Sequence, residues 1–207
     1  MSNLKVIDHP LITHKLAILR DKDTSASLFK STLASLTALM SYDLFAHLNT
    51  KEVTITTPLE EMATHKLAKP PVLVSILRAG NGMADSIFDI CPEASMAHIG
   101  MQRDPETHEP LFYYEKYPED LRERQCILID PMLATGGSAI MAADRLKEKN
   151  VKEIIFACLV AAPEGVDAFH SRHKDVPIIT AALDRELNEN CYILPGLGDA
   201  GDRIFNT

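Results

Sequence analysis

Four short apolar runs constrain the fold of this chain more than any other feature of its sequence. They are VLVSIL at 72–77, CILID at 126–130, IIFACLVAA at 154–162 and PIITAAL at 177–183. Such continuous apolar character, rich in Val, Ile and Leu, is typical of strands that are covered on both faces. We therefore expect these runs to form the centre of a sheet that lies between layers of helices.

Segments of helical length separate the last three runs. Residues 137–149 and 163–173 each open near a Gly or Pro. Strands that alternate with helices predict a parallel sheet with crossover connections, in which a ligand binds beyond the carboxyl ends of the strands. A further amphipathic helix is predicted over 24–48, where apolar residues recur at helical spacing after a polar Asp-Thr-Ser start.

Residues 101–124 interrupt this alternation, because the stretch is polar, charged and contains Pro. A mobile loop, a β-hairpin arm and a dimer contact are the alternatives. Its tyrosines, Tyr113, Tyr114 and Tyr117, favour an arm that packs on a second subunit over a base-stacking platform, because the chain is negatively charged. No repeat, low-complexity tract or linker divides the sequence, so we expect a single domain over residues 1–207.

The charge balance argues against nucleic acid and membranes as partners. The chain has 21 Lys and Arg against 29 Asp and Glu, a formal net charge of -8, which is the wrong sign for a phosphate backbone or an anionic membrane. No apolar run approaches the roughly 20 residues needed to cross a bilayer. No basic segment leads into an apolar core at the N-terminus. We expect a cytoplasmic protein.

The cysteines and histidines do not indicate a metal site. The four cysteines are widely separated and form no C-x-x-C pair, so neither a disulfide framework nor a zinc site is suggested. Cys126 and Cys158 lie within apolar runs and are expected to be buried, reduced thiols. His170 and His173 share a helix face without an acidic or Cys partner, which predicts a solvated helix end.

Seven of the nine glycines fall in three short segments. They are Gly80 and Gly82, Gly136 and Gly137, and Gly196, Gly198 and Gly201. This concentration indicates that the three loops bring main chain close to a ligand. Ordinary tight turns are the alternative for any one of them.

The middle segment, ILIDPMLATGGS at 127–138, is the most informative of the three. It passes from an apolar strand through an acid into Thr-Gly-Gly-Ser at a helix start, where unpaired N–H groups, a positive dipole end and glycines suit a phosphate. We expect that phosphate on residues 134–138. The Lys of a nucleoside triphosphate P-loop is missing. Asp130, beside the cradle, suits sugar hydroxyl groups, with helix capping as the alternative.

This segment resembles the 5-phosphoribosyl-1-pyrophosphate (PRPP) binding motif of phosphoribosyltransferases, and its form D-P-M-L-A-T-G-G is similar to that of uracil phosphoribosyltransferases. Many phosphoribosyltransferases carry two adjacent acids here, whereas Asp130 stands alone. Other stretches share the resemblance, and together they cover most of the chain. They are HPLITHKLAILRDKDT at 9–24, ILRAGNGM at 76–83, GMQRDPETHEP at 100–110, AAPEG at 161–165 and LNENCYILPGLGDAGDRIF at 187–205.

The resemblance implies a type I phosphoribosyltransferase fold and a particular reaction. The fold is α/β, with a mostly parallel central sheet flanked by helices, a β-arm or flexible loop, and a small hood from the chain termini. In the reaction, uracil N1 attacks the anomeric carbon of PRPP through an oxocarbenium-like transition state, giving UMP and pyrophosphate in pyrimidine salvage. Mg²⁺ is the implied cofactor, held mainly by PRPP, with Asp199 as the candidate protein contact.

By the same resemblance, PRPP is bound by residues from four segments. They are Arg78, Arg103, Asp130, Pro131, Met132, Leu133, Ala134, Thr135, Gly136, Gly137, Ser138 and Asp199. Arg78 and Arg103 are assigned to pyrophosphate, because a guanidinium group can donate two parallel hydrogen bonds to a multi-oxygen anion. Asp130, Arg103 and Asp199 are the predicted catalytic residues.

Uracil is assigned to the segment YILPGLGDAGD at 192–202. The main chain at Ile193, Gly198, Asp199 and Ala200 is expected to read its carbonyl groups and its N3 proton. Cytosine would be rejected, because its N3 and amino group reverse the pattern of donors and acceptors and would leave buried groups unpaired.

Three positions depart from the family pattern: Ser75 stands in place of Pro, Asn81 in place of an apolar residue, and Gln102 in place of Tyr. None of these changes removes a group assigned to the chemistry. A phosphoribosyltransferase for another base and a non-catalytic RNA-binding regulator on the same fold are the alternatives, and the C-terminal segment and the negative charge argue against them. The resemblance implies a homodimer or higher assembly and leaves activation by GTP open.

Overall fold

Helices and strands alternate along most of the chain in the computed structural model, which describes residues 3–103 and 110–207, with only the main chain described at 102, 103 and 110. The helices are α1 (Pro10–Arg20), α2 (Ala26–Phe45), α3 (Gly80–Ile90), α4 (Gly137–Glu148), α5 (Pro163–Arg172) and α6 (Ala200–Phe205), with a 3-10 turn at Leu121–Glu123. The strands are β1 (Leu4–Val6), β2 (Thr50–Thr56), β3 (Glu61–Leu67), β4 (Val72–Leu77), β5 (Ser95–Arg103), β6 (Pro110–Lys116), β7 (Cys126–Ile129), β8 (Met132–Leu133), β9 (Ile154–Ala161), β10 (Ile178–Leu183), β11 (Glu186–Leu187) and β12 (Ile193–Leu194).

The main sheet is mostly parallel, as predicted. Its strand order is β1-β10-β9-β7-β4-β5-β6, and the short β8 pairs with the end of β9. The described neighbours are parallel except β5 and β6, which are antiparallel. The four apolar runs form the adjacent strands β10, β9, β7 and β4, so the crossover arrangement predicted from their spacing is confirmed.

Two helical layers enclose this sheet, one on each face. Successive residues of each strand point to opposite faces, so neighbouring residues pack against different layers. Leu73 and Ile127 belong to a buried cluster with α1, α2 and α3, whereas Val74 and Leu128 belong to a second cluster with α4 and α5. Burial of both faces explains why the sequence of the central strands is continuously apolar.

Helix α2 follows the predicted periodicity and has the predicted kind of N-cap. The Ser25 side-chain oxygen accepts a hydrogen bond of 3.4 Å from the Leu28 N–H. Leu28, one of the apolar residues that recur at helical spacing over 24–48, is nevertheless 48% exposed. Although α2 is 20 residues long, neither it nor any other helix in the described part of the chain has the length and apolar character needed to cross a membrane.

The stretch 101–124 contains a β-hairpin arm, which is one of its three predicted alternatives. Strands β5 and β6 form this arm, and residues 104–109 between them lie outside the described part of the chain. Tyr113 and Tyr114 on β6 are 52% and 48% exposed. The arm therefore presents aromatic side chains on its surface, and their contact with a second subunit stays a prediction.

Buried thiols are found where the sequence predicts them. Cys126 and Cys158 are free and buried, and burial raises the pKa of each thiol to about 12. Thiols of this kind are inert and serve as small apolar side chains.

The prediction of a solvated helix end at His170 and His173 is wrong. The His173 side chain is only 2% exposed, its ring centroid lies 5.3 Å from that of Phe169, and its Nε2 lies 3.2 Å from the Ile140 carbonyl oxygen. The end of α5 is covered because α4 packs beside it, a contact that helical periodicity alone does not specify.

Candidate active site

A phosphate cradle lies between β7 and α4, where the chain leaves the carboxyl edge of the sheet. Asp130 directly follows β7, and the chain reaches the first residue of α4 at Gly137. Gly136 is the N-cap residue, has a φ of +83° and provides no side-chain cap. The first N–H groups of α4 are therefore open to an anion.

One hollow of about 150 Å³ gathers the predicted PRPP residues of this segment. It is lined by Asp130, Met132, Leu133, Ala134, Thr135, Gly136, Gly137, Ser138 and Ala139. The Pro131 carbonyl oxygen accepts hydrogen bonds from the N–H groups of Leu159 and Val160 at 2.9 and 3.2 Å. This contact fixes the chain after Asp130 against β9, so Pro131 supports the cradle from behind.

Gly165 allows α5 to approach the cradle closely. A Cβ atom at this position would lie 2.2 Å from the Ala134 carbonyl oxygen and 2.7 Å from that of Leu133. The first turn of α5 therefore touches the cradle main chain directly. The sequence offered one signal for this support, a Gly inside the first turn of a predicted helix, but no role was assigned to it.

Asp130 has an unusual electrostatic environment. Burial is the largest cause that raises the pKa of its carboxyl group, to about 7, and the negative charge of Asp199 raises it further. The Met132 N–H, 3.4 Å from Asp130 Oδ1, acts in the opposite direction. The carboxyl groups of Asp130 and Asp199 are thus close enough for the charge of one to act on the other.

The C-terminal segment forms a small hood over the sheet edge. Strands β11 and β12 pair as a short antiparallel ladder, and a turn then leads to α6. Asp199 is the N-cap of α6, where its side chain accepts a hydrogen bond of 2.9 Å from the Asp202 N–H. Gly198 and Asp199 are exposed, whereas Ile193 and Ala200 are buried. Of the four predicted uracil positions, Gly198 has no side chain, so its exposure is that of its main chain.

The cradle and the hood share a second hollow of about 410 Å³. Met132 and Ala134 line it from the cradle side. Residues 190–193 and Asp199 line it from the hood side. The structure thus brings the predicted phosphate and nucleobase regions to one place, although they are far apart in the sequence.

Arg78 lies beside the hood. Its Nη2 atom is 3.8 Å from Asp202 Oδ1, and its guanidinium carbon is 5.5 Å from the Phe205 ring centroid. The side chain is 60% exposed, so the guanidinium group can still reach a ligand. The sharp entry into α3 after Arg78 requires Gly80, since a Cβ there would lie 2.6 Å from the Ile129 carbonyl oxygen.

Two of the three departures from the family pattern contact each other. Ser75 is fully buried in β4, and its hydroxyl group donates a hydrogen bond of 2.7 Å to Asn81 Oδ1 in α3. The only polar residue within β4 thus has its partner in the helix that follows Arg78. Gln102, the third departure, and Arg103 have side chains outside the described residues.

The described side chains include no group of three or more His, Cys, Asp and Glu residues arranged to hold a metal ion. Asp130 lines the hollow of the cradle, and Asp199 lines the hollow that the cradle shares with the hood. Oxygen donors of this type suit a hard divalent cation whose other ligands come from a phosphorylated substrate.

Solved structures with this fold define the class of protein. The structure of AQ2163 protein from Aquifex aeolicus matches with a TM-score of 0.91 and 33% identity, covering 98% of this chain and 97% of that one. Adenine phosphoribosyl transferase from Trypanosoma brucei, in complex with AMP, pyrophosphate and ribose-5-phosphate, matches with a TM-score of 0.61 and 13% identity, covering 96% and 89%. The fold is that of the type I phosphoribosyltransferases.

Sequence comparison narrows the class to a family. The family profile described as Uracil phosphoribosyltransferase matches residues 6–207. Uracil phosphoribosyltransferase from Acidovorax ebreus (strain TPSY) is 52% identical over 208 residues, which span 100% of both chains. The chain belongs to the uracil phosphoribosyltransferase family.

Proposed function

We propose that the protein transfers the phosphoribosyl group of PRPP to N1 of uracil, with UMP and pyrophosphate as products. The observation that supports this most directly is the hollow shared by the phosphate cradle and the hood. A base and a sugar phosphate must meet in one site for a bond to form between them. The family to which the chain belongs provides the identity of the base.

PRPP is proposed to bind with its 5-phosphate in the cradle and its ribose hydroxyl groups at Asp130. The open N–H groups of the first turn of α4 match the phosphate. Pyrophosphate is assigned to the guanidinium groups of Arg78 and Arg103, which can each donate paired hydrogen bonds. Arg78, exposed beside the hood, is available for this contact without any rearrangement of buried groups.

Mg²⁺ is proposed to enter with PRPP and to lie near Asp130 and Asp199. Burial raises the pKa of the Asp130 carboxyl group, and a divalent cation bound there would act in the opposite direction by favouring the ionised form of both acids. When bound, the ion supplies charge neutralisation for the leaving pyrophosphate. The protein's own contribution is to place the two carboxylates where that substrate complex docks.

The chemistry requires positioning and electrostatic stabilisation more than a nucleophilic side chain. As pyrophosphate leaves, positive charge develops on the ribose ring, and a carboxylate at Asp130 would stabilise it. The main chain at Ile193, Gly198, Asp199 and Ala200 would hold uracil with N1 toward the ribose. Cytosine presents the opposite donors and acceptors at N3 and C4, so fixed main-chain groups disfavour it.

The proposed function also includes the assembly and the regulation of the protein. A homodimer or higher homo-oligomer is supported by the exposed aromatic side chains of the β5–β6 arm, since clustered aromatic surface is typical of interfaces. A cytoplasmic location is proposed from the sequence, and GTP, whose role the family resemblance leaves open, is the candidate activator. Light scattering and an assay with added GTP test the assembly and the activation.

A turnover assay across nucleobases tests the proposed reaction. The protein is incubated with PRPP and Mg²⁺ and with uracil, cytosine or hypoxanthine in turn, and nucleoside monophosphates are separated by chromatography. We expect UMP from uracil and little product from the other bases. Turnover of hypoxanthine without uracil would contradict the base assignment. Retention of RNA at moderate salt, without any turnover, would favour the regulator alternative.

A further inference from the structure

One buried ion pair binds both polar main-chain groups of Gly196, a residue of the hood turn. Arg20 donates two hydrogen bonds to the Asp184 carboxylate, at 2.6 and 2.8 Å. The same carboxylate accepts a hydrogen bond of 2.9 Å from the Gly196 N–H, and Arg20 donates another of 2.7 Å to the Gly196 carbonyl oxygen. The Asp184 side chain is only 4% exposed.

The pair connects three parts of the fold that are distant in sequence. Arg20 is the last residue of α1, and Asp184 directly follows β10. Gly196 has a φ of +61° and would place a Cβ atom 2.2 Å from the Ile193 carbonyl oxygen. The turn therefore folds back tightly on Ile193, and the ion pair anchors it to the sheet edge and to the N-terminal helix.

Arg203 anchors the next residue of the same turn. Its Nη1 donates a hydrogen bond of 2.7 Å to the Leu197 carbonyl oxygen and also binds that of Leu19, while its Nη2 donates to the Asp21 carbonyl oxygen at 2.6 Å. Positions 196 and 197 are thus held by charged side chains, and the exposed residues Gly198 and Asp199 follow immediately.

We propose that Arg20 and Asp184 are positioning residues that set the orientation of the main chain that reads the nucleobase, and so its selectivity. The proposal rests on the proposed function, because it concerns how the same site recognises uracil. A buried ion pair is a weak source of stability on its own. Its geometry instead fixes a conformation, because two hydrogen bonds join Arg20 to Asp184 while Asp184 holds the Gly196 N–H and Arg20 holds the Gly196 carbonyl oxygen. Among the described residues, no hydrogen bond joins either side chain to the phosphate cradle, so the effect of the pair should be confined to the base.

The test uses Arg20→Lys, which keeps the positive charge but cannot bridge both Asp184 oxygens and the Gly196 carbonyl oxygen from one nitrogen atom. Steady-state assays give KM for uracil and for PRPP, and the ratio of kcat/KM for uracil and cytosine. Titration calorimetry gives the affinity for PRPP with Mg²⁺, and the melting temperature reports folding. Asp184→Asn is the second variant, because it keeps the shape of the side chain.

We expect KM for uracil to rise by about tenfold or more, since hydrogen bonds to charged groups are lost at the turn. Discrimination against cytosine should fall, while KM and affinity for PRPP stay near the wild-type values. The matched control is Arg172→Lys, which alters the ion pair between Arg172 on α5 and Asp144 on α4 and should change none of these quantities.

Two results would overturn the proposal. A folded Arg20→Lys protein with unchanged KM for uracil and unchanged discrimination would show that the turn needs no such anchor. Parallel losses in melting temperature and in both KM values, in Arg20→Lys and Asp184→Asn alike, would make the pair merely structural. A wild-type protein that does not use uracil would instead remove the proposed function, and this inference with it.

Discussion

The Ser75 hydroxyl group, fully buried in β4, donates a hydrogen bond of 2.7 Å to the side-chain oxygen of Asn81. Both residues depart from the pattern expected of the family, and the structure brings their side chains into contact. A lone polar residue in the centre of an apolar strand would leave a hydroxyl group without a partner. Asn81 supplies that partner from the first turn of α3, next to Arg78.

This contact predicts energetic coupling between the two positions. Asn81→Leu should destabilise the fold by about 1–3 kcal/mol, because it leaves the Ser75 hydroxyl group buried and unpaired. The double variant Ser75→Ala with Asn81→Leu should lose less than the sum of the two single variants, by at least about 0.5 kcal/mol. Urea denaturation of the four proteins measures the cycle, and strictly additive losses would show that the bond contributes no coupling.

Asp130→Asn should weaken PRPP binding by about tenfold or more, because an uncharged amide replaces a charged hydrogen-bond acceptor of the same shape. The fold should not suffer. Burial and the charge of Asp199 raise the pKa of Asp130 to about 7 in the ligand-free protein, above its unfolded value, so ionisation opposes folding as the pH rises. At pH 8 the variant should therefore be as stable as the wild type or more stable.

Titration calorimetry with PRPP and Mg²⁺ measures the first effect of Asp130→Asn, and thermal melting at pH 6 and pH 8 measures the second. Unchanged PRPP affinity would remove Asp130 from the binding site. A variant that is less stable than the wild type at both pH values would show that the carboxylate has a structural role instead.

The sequence predicts those elements of the fold that a local pattern of residues specifies, such as β4, α4 and the cradle. The bounds of β4 and of α4 differ from the predicted ones by one residue at most, because buried parallel strands and amphipathic helices have distinct periodicities. The cradle could be predicted for the same reason, since a strand, an acid and a Gly-Gly helix start are contiguous in the chain. Its position at the carboxyl edge of the sheet follows from the parallel topology.

The remainder depends on contacts between distant segments, which no local pattern specifies. Arg20 and Asp184 are 164 positions apart, and neither residue is unusual in its own sequence context. The burial of His173 depends on α4 packing beside α5, and the contact between Gly165 and the cradle depends on the same crossover. Ion pairs and helix contacts of these kinds are expected in any fold of this type, but the residues that form them could not be identified before the fold was known.

The burial of His173 indicates that the protein loses stability in mild acid. Burial lowers the pKa of the imidazole group below its usual value, so the unfolded state takes up a proton more readily than the folded state does. The neutral His173 side chain thus contributes folding stability that is fully present above the pKa of the unfolded state, about 6.5. This stability is lost as the pH falls below that value. His173→Gln should flatten the fall in melting temperature between pH 7 and pH 5, relative to the wild type. Parallel curves for the two proteins would assign the acid sensitivity to other groups.

Gly165→Ala should weaken the cradle, although helix propensity alone predicts the opposite. Inside a helix, Ala is favoured over Gly by roughly 1 kcal/mol. At this position, however, the added Cβ would lie 2.2 Å from the Ala134 carbonyl oxygen, so either α5 or the cradle must shift. Overpacking of this kind costs about 1–3 kcal/mol, and a shifted Ala134 would also reduce PRPP affinity. Ser171→Ala, at an exposed position of the same helix, is the matched control for propensity and should leave PRPP affinity unchanged. If Gly165→Ala instead melts above the wild type and binds PRPP with equal affinity, α5 does not support the cradle, and the close approach has no role in the site.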